Sequence, residues 1–235
     1  MTTNKEAWDF IANVIAPDIF LAQESKPEGE IGFKGKIWHS IPNRQWGSGV
    51  FTKTYPVKEL VFPNTYFGSL VGAEVGLPNG ISLTVFSMYG LLDQGYATTT
   101  IHKMLSDLTF VLMGEGEYAG KNQNVVIGGD LNISVQCDEK WGKKECYTNA
   151  HKICFERIED FGLVNSFSKF YNGYVQTLRH IRSSVPWQND YLFVSRKLAS
   201  TIKSCKVIYE DYNNQIEKFS DHNPVVIELE LTDGH

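Results

Sequence analysis

Near the start of the chain, Trp8, Ile11, Ala12 and Ile15 fall on one face at helical spacing. Thr3 followed by Glu6 has the form of a capping box and Pro17 is a stop, so the chain is predicted to open with a helix. The run Asp18-Ile-Phe-Leu-Ala-Gln-Glu24 is short and nearly continuous in apolar residues, the pattern of a strand covered on both faces, with Glu24 at its carboxyl end. Phe33 to Trp38 and Gly49 to Thr52 flank a polar stretch with Pro42, Asn43 and Gly47, which predicts a hairpin. Further strands are expected at Ile81 to Met88, Val125 to Ile127, Tyr191 to Ser195, Ser204 to Tyr209 and Val225 to Leu231. Ile101, Met104, Leu105, Leu108 and Leu112 predict a helix over about 99 to 113, and a similar pattern predicts another over about 149 to 160, before Gly162. Mixed strands and helices in this order imply an α/β layered domain, with enough strands for two packed sheets.

Polar chemistry gathers where the predicted strands end or adjoin turns. Glu24, then Asp130 and Asn132 in Gly-Gly-Asp-Leu-Asn, then Asp190, then Asp221 and His222 in Ser-Asp-His-Asn-Pro all occupy such positions. Layered α/β folds bind ligands at strand ends, where loops assemble residues distant in sequence. Carboxylates clustered there repel one another unless a cation sits among them, and hard oxygen ligands suit Mg²⁺ or Mn²⁺. Each segment alone is also explained as turn chemistry; their recurrence is the stronger signal.

Composition narrows the setting. At 235 residues, 42% hydrophobic and 21% charged, the sequence reads as a single ordinary globular domain, residues 1–235, without a linker or repeat. No stretch approaches the ~20 apolar residues of a membrane helix, and the N-terminus lacks a signal-peptide pattern, so a cytoplasmic protein is expected. Cys137, Cys146, Cys154 and Cys205 have neither zinc nor disulfide spacing. A net charge of −5 gives no global attraction to polyanions, so contact with nucleic acid must rest on a local basic patch or on metal ions.

Taken together, Asp-Ile-Phe-Leu-Ala-Gln-Glu24, Trp-Gly-Ser-Gly-Val-Phe-Thr-Lys53, Gly-Asp130-Leu-Asn132, Asn-Asp190-Tyr-Leu-Phe-Val-Ser and Ser-Asp221-His222-Asn-Pro-Val resemble the successive motifs of the endonuclease/exonuclease/phosphatase superfamily, in that family's order and over nearly the whole chain. The resemblance implies a four-layer α/β sandwich, deoxyribonuclease I-like, with two packed mixed sheets flanked by helices and the active site at one edge. It implies a metal-dependent phosphodiesterase, most simply a nuclease acting on DNA or RNA. On the matching positions Glu24 would bind the metal, with Asp221 close to it. Asp130 would orient or deprotonate the attacking water, and Asn132 would hold that water or a phosphate oxygen. His222 would meet the scissile phosphate, steadied by Asp190, and Tyr89 matches by position a residue that approaches the phosphate or leaving group. The family pattern also places a strand ending in Asn ahead of the Glu24 motif. Here the first residues already cap a helix, and Asn4 stands too close to it to end a preceding strand. Absence of that strand would leave neighbouring strand edges exposed, with a cost in stability or a tendency to associate.

Several further groups are candidates for substrate contact, each weighed against plain surface or core. Lys26, Lys34, Lys36, His39, Arg44 and Trp46 lie on or near the hairpin and suit a phosphate backbone or a solvated surface equally. Asp138 to His151 mixes basic residues with Trp141 and Tyr147, as a base-stacking loop does. Trp187 stands three residues before Asp190, placed for stacking or for core packing, and Arg179, His180 and Arg182 form a basic cluster leading to the same motif. Two other functions fit the same motifs: a phosphatase or phospholipase-like enzyme acting on inositol phosphates or another small phosphoester, and a catalytically impaired member that binds nucleic acid or protein.

Overall fold

A computed structural model describes residues 4–93, 96–113, 124–134, 148–179, 185–209 and 215–231. The first helix, α1 (Lys5–Phe10), is capped by Asn4, whose side chain accepts from the Glu6 N–H at 2.9 Å. Thr3 of the expected capping box lies outside the described residues; a short polar side chain such as Asn4 accepts from the first helical turn and satisfies one of its unpaired N–H groups. A π-helical turn at Ile11–Ile15 follows and ends at Ala16 in the left-handed conformation, just ahead of Pro17.

The expected strands form, together with three that the apolar pattern does not announce. In chain order they are β1 (Ile19–Ser25), β2 (Gly35–Ser40), β3 (Gly47–Thr52), β4 (Val57–Glu59), β5 (Leu70–Gly76), β6 (Ser82–Met88), β7 (Val125–Asp130), β8 (Leu163–Asn165), β9 (Asp190–Ser195), β10 (Ile202–Val207) and β11 (Val225–Leu229). The longer helices are α2 (Thr98–Leu112) and α3 (Thr148–Asp160), followed by the short α4 (Arg196–Ala199) and α5 (Gln215–Phe219).

One sheet has six strands in the order β4-β5-β6-β7-β9-β8, antiparallel except for the parallel pair β6 and β7, whose connection passes through α2. The layer facing it is divided among the described residues into β1-β3-β2 and β10-β11. A single second sheet was the expectation; the division sits between β1 and β11.

Three apolar seams hold the layers in register. Outside the large sheet, Phe86, Met88, Ile127 and Phe193 pack under Ile101, Met104 and Leu105 of α2 and Cys154 and Ile158 of α3. Between the sheets, Val50, Val85, Val126 and Val194 meet Leu21 and Ile227 from the facing layer. On the far side, Trp8 of α1 packs edge-on against Phe51 with ring centroids 5.0 Å apart. The order is helix, divided sheet, six-stranded sheet, helix. β1 departs from its expected burial on both faces: Ala22 is buried, but Ile19, Phe20 and Leu21 stay half-buried because the layer is open beside them.

Leu105 is completely buried between α2 and the large sheet. Leu105→Ala is expected to lower stability by about 3 kcal/mol, within the range for buried leucines, as read by urea unfolding, without displacing the strand ends on the opposite side of that sheet.

Candidate active site

The antiparallel register of β7 and β9 sets Asp130, the last residue of one, opposite Asp190, the first residue of the other. Asp190 is thus at the amino end of its strand, and only the antiparallel pairing brings it to the edge that carries Asp130. The Asp130 carbonyl accepts from Gly90 N–H at 2.7 Å, and Leu131 N–H donates to Asn189 at 2.9 Å, so the ends of β6, β7 and β9 are laced together. Glycine is required at two of these points. A Cβ on Gly90 would lie 1.9 Å from the Leu131 carbonyl oxygen, and one on Gly129, at φ 150°, 2.0 Å from the Met88 carbonyl oxygen.

His222 is carried to the same edge by a second set of backbone pairings. Leu178 bridges both Trp187 and His222, and Asn223 N–H donates to the Thr177 carbonyl at 2.7 Å. The Thr177 hydroxyl accepts from the N–H groups of Asn189 and Asp190, at 2.9 and 3.0 Å. His222 Nδ1 then lies 2.8 Å from Asp190 Oδ2, and Nε2 lies 3.9 Å from Asp130 Oδ2. The first is a hydrogen bond and the second is too long to be one. One oxygen of each carboxylate and an imidazole nitrogen fall within 4.8 Å of one another.

Glu24 and Tyr89 complete the edge. Glu24 adopts a left-handed φ of 47° where the pairing of β1 with β3 slips between Ala22 and Ser25. A bulge of this kind re-aims a side chain. The Tyr89 hydroxyl donates to Glu24 Oε1 at 2.6 Å, and its ring meets Trp46 edge-on at 5.6 Å. Asn132, at φ 50°, donates its N–H to Asp130 Oδ1 and its amide to the Gly90 carbonyl. Glu24, Asp130, Asp190, Asp221 and His222 all line a single cavity of about 920 Å³.

Charge and burial oppose each other here. Asp130 is buried, and that burial, followed by the charge of Asp190, holds its carboxyl well above the usual range; Glu24 adds to the effect. Burial disfavours charge on His222, yet the charge and hydrogen bond of Asp190, then Asp130 and Asp221, lift its pKa to about 9. Tyr89 is held far above its ordinary value by burial and by the bond to Glu24. At neutral pH the imidazolium therefore offsets the charge of Asp190, to which it is bonded, while Asp130 keeps a raised affinity for a proton.

The other candidates are spread around this centre. Arg44 sits 5.5 Å over the ring of Trp46, which puts a cation two contacts from Tyr89. Lys26 is paired with Glu28 at 2.5 Å. Arg179 donates from its guanidinium to the Ser220 carbonyl at 2.6 Å and from its N–H to the Asp221 carbonyl at 2.8 Å, so it holds the loop that carries Asp221 and His222. Trp187 is half-buried, with its backbone paired to Thr177 and Leu178. His180 and Arg182 lie outside the described residues, as do Cys137, Cys146 and the span from Asp138 to Tyr147. Sequence reasoning passed over Thr177, because a threonine in an irregular stretch gives no signal until its hydroxyl is seen under Asp190.

Comparison with known proteins agrees with this geometry at the level of the fold. No protein-family model matches the sequence, and no curated protein does. The fold itself is that of the endonuclease/exonuclease/phosphatase proteins. An AP endonuclease from Leishmania major is 18% identical, with 97% of this chain and 83% of that one covered at a TM-score of 0.73. A 3′ phosphatase from Neisseria, solved bound to a product DNA hairpin, is 20% identical over 96% of this chain and 93% of its own, at 0.70. An endonuclease/exonuclease/phosphatase family protein from Leptotrichia buccalis is 17% identical over 97% and 92%, at 0.56. Among the described residues no helix is long and apolar enough to cross a membrane.

The site predicts a distinctive titration. In metal-free protein, NMR of the imidazole carbons is expected to place the His222 transition near pH 9, and Asp190→Asn to return it towards the ordinary 6.5. Because the folded value is raised, the stability that His222 contributes is complete below about pH 6.5 and disappears as pH climbs through about 9. A wild-type transition near 6.5 would contradict the pairing.

Proposed function

We propose that this chain is a divalent-metal-dependent phosphodiesterase that hydrolyses the backbone of a nucleic acid by in-line attack of water. The observation carrying the proposal is the meeting of Glu24, Asp130, Asp190 and His222 on one cavity. The donor set suits a hard cation: it is rich in carboxylate oxygen, holds no thiolate among the described residues, and includes a carboxyl kept above its usual range by burial and then by other carboxylates. Glu24 would hold the ion, with Asp221 beside it. Bound there, Mg²⁺ or Mn²⁺ would supply neutralising charge for the phosphate and its leaving oxygen.

The chain's own groups supply the rest. Asp130, with its raised affinity for protons, orients the attacking water and takes its proton, while Asn132 holds that water or a phosphate oxygen. Asp190 fixes the Nδ1–H of His222 and leaves Nε2, as part of a cation, to face the scissile phosphate. Tyr89 stands near the leaving group. Arg44, Lys26, Arg179, His180 and Trp187 are the proposed contacts to the rest of the substrate; the first of these is the best placed, through Trp46. The fold shared with an AP endonuclease and with a 3′ phosphatase bound to DNA favours nucleic acid over a small phosphoester.

Supercoiled DNA, single-stranded DNA, abasic DNA, RNA and phosphoinositides, each with Mg²⁺ or Mn²⁺, form the test panel. Cleavage of at least one nucleic acid is expected, together with its loss on chelation and its return on adding the ion. Asp130→Ala and His222→Ala are each expected to slow it by about 10²-fold or more, the usual worth of a positioned acid or base, while circular dichroism stays that of the parent. Turnover of phosphoinositides alone, or unchanged rates in both variants, would overturn the proposal.

A further inference from the structure

The segment between β4 and β5 ends on the catalytic edge. Tyr89 N–H donates to the Ser69 carbonyl and Ser48 N–H to the Gly68 carbonyl, each at 2.8 Å. The backbone just after Phe67 is thus bonded both to the residue whose hydroxyl pins Glu24 and to the start of β3. Trp46 stands immediately before β3, with its ring against Tyr89. Neither Trp46 nor Phe67 lines the 920 Å³ cavity. Tyr89 joins both to Glu24, so a polymer that occupies the catalytic centre and continues past Tyr89 meets them.

Both rings are held from behind. The Asn64 amide donates to the Leu70 carbonyl at 2.8 Å, Thr65 N–H donates to Asp107 Oδ2 of α2 at 2.7 Å, and Phe62 and Tyr66 pack onto the core. Phe67 alone of the three aromatic residues in this segment is turned outward, 46% exposed. His39 backs its ring at a centroid distance of 4.4 Å, and His39 Nε2 is itself hydrogen-bonded to Glu59 Oε1 at 2.6 Å. A solitary exposed phenylalanine is ordinary surface. A ring already fixed in place, on the edge that carries the catalytic groups, gives up little freedom when a flat ligand lies on it.

Charge selects the ligand. Affinity for a duplex rests mainly on cations that neutralise its phosphates. At this edge His39 faces Glu59, Lys26 is paired with Glu28, and the whole chain carries a net charge of −5. Arg44 lies over Trp46, where a guanidinium extends the stacking surface. Bases in a duplex hide their faces against one another, whereas those of a single strand can be laid on aromatic side chains. We propose that Trp46 and Phe67 form a stacking platform that selects single-stranded nucleic acid, DNA or RNA, over duplex. The inference rests on the phosphodiesterase reading and names the form of its substrate.

Fluorescence anisotropy in EDTA reads affinity without cleavage. The ligands share one sequence: a single strand as DNA and as RNA, the matching DNA duplex, and a single DNA strand with abasic positions throughout. The parent is expected to bind at least one intact single strand about tenfold or more tighter than the duplex. Phe67→Leu keeps an apolar contact with His39 but removes the aromatic face; it is expected to weaken single-strand binding about tenfold, with Phe67→Trp staying within about twofold of the parent. The parent should hold the abasic strand as weakly as Phe67→Leu holds the intact one. Duplex binding equal to or tighter than single-strand binding, no measurable binding of any single strand, an unchanged Phe67→Leu, or full affinity for the abasic strand would overturn the proposal. If Phe67→Leu loses single-strand affinity while the parent cleaves nothing, the platform stands and the catalytic reading falls; cleavage by a parent whose Phe67→Leu variant binds unchanged gives the reverse.

Discussion

Two carboxylates placed opposite each other on one β-ladder, one of them buried, cannot both stay charged unless a positive group lies beside them. Asp130 and Asp190 are in that position, fixed by the register of β7 and β9. His222 is the compensating charge that the chain itself provides, bonded to Asp190 at 2.8 Å and facing Asp130 across 3.9 Å. The arrangement leaves Asp130 with a raised affinity for a proton and His222 with a proton it holds past neutrality. A buried carboxyl with raised proton affinity and a retained cation, facing one cavity, are what the proposed attack of water on a phosphodiester asks of a protein.

Local backbone strain maintains that geometry. Glu24 and Asn132 both sit at left-handed φ without being glycine, a conformation that costs on the order of 1 kcal/mol or more per residue. Each is pinned: Glu24 by the Tyr89 hydroxyl and the bulge in β1, Asn132 by Asp130 and the Gly90 carbonyl. The rigid sheet beneath, with Phe86, Ile127 and Phe193 packed under α2 and α3, absorbs the cost.

The sequence announced the buried strands best. β6, β7 and β9 are near-continuous apolar runs, and the acidic residues at their ends were visible as a recurring pattern. β5 escaped because Gly72 and Gly76 dilute its run where it packs closely against Phe86 and Pro56, while β4 and β8 are three residues each, too short to show a period. Arg179 stood in a basic cluster suited equally to phosphate and to plain surface, and a basic residue in an irregular stretch carries no mark of the carbonyls it also binds, here those of Ser220 and Asp221. β1 read as a strand covered on both faces; its half-buried state reports the cavity that Ile19, Phe20 and Leu21 line.

Glu24, Asp130, Asp190 and His222 line the same cavity as Leu21 and Ile227 of the divided layer, so the division of that layer and the proposed chemistry share one space. The account depends most on Glu24, Asp130 and His222 serving a common cation and phosphate. Crystals grown with Mn²⁺ and measured at its absorption edge test this directly: an anomalous peak is expected within coordination distance of Glu24, on the side facing Asp130 and His222. Manganese bound elsewhere on the protein, with no density beside Glu24, would contradict it.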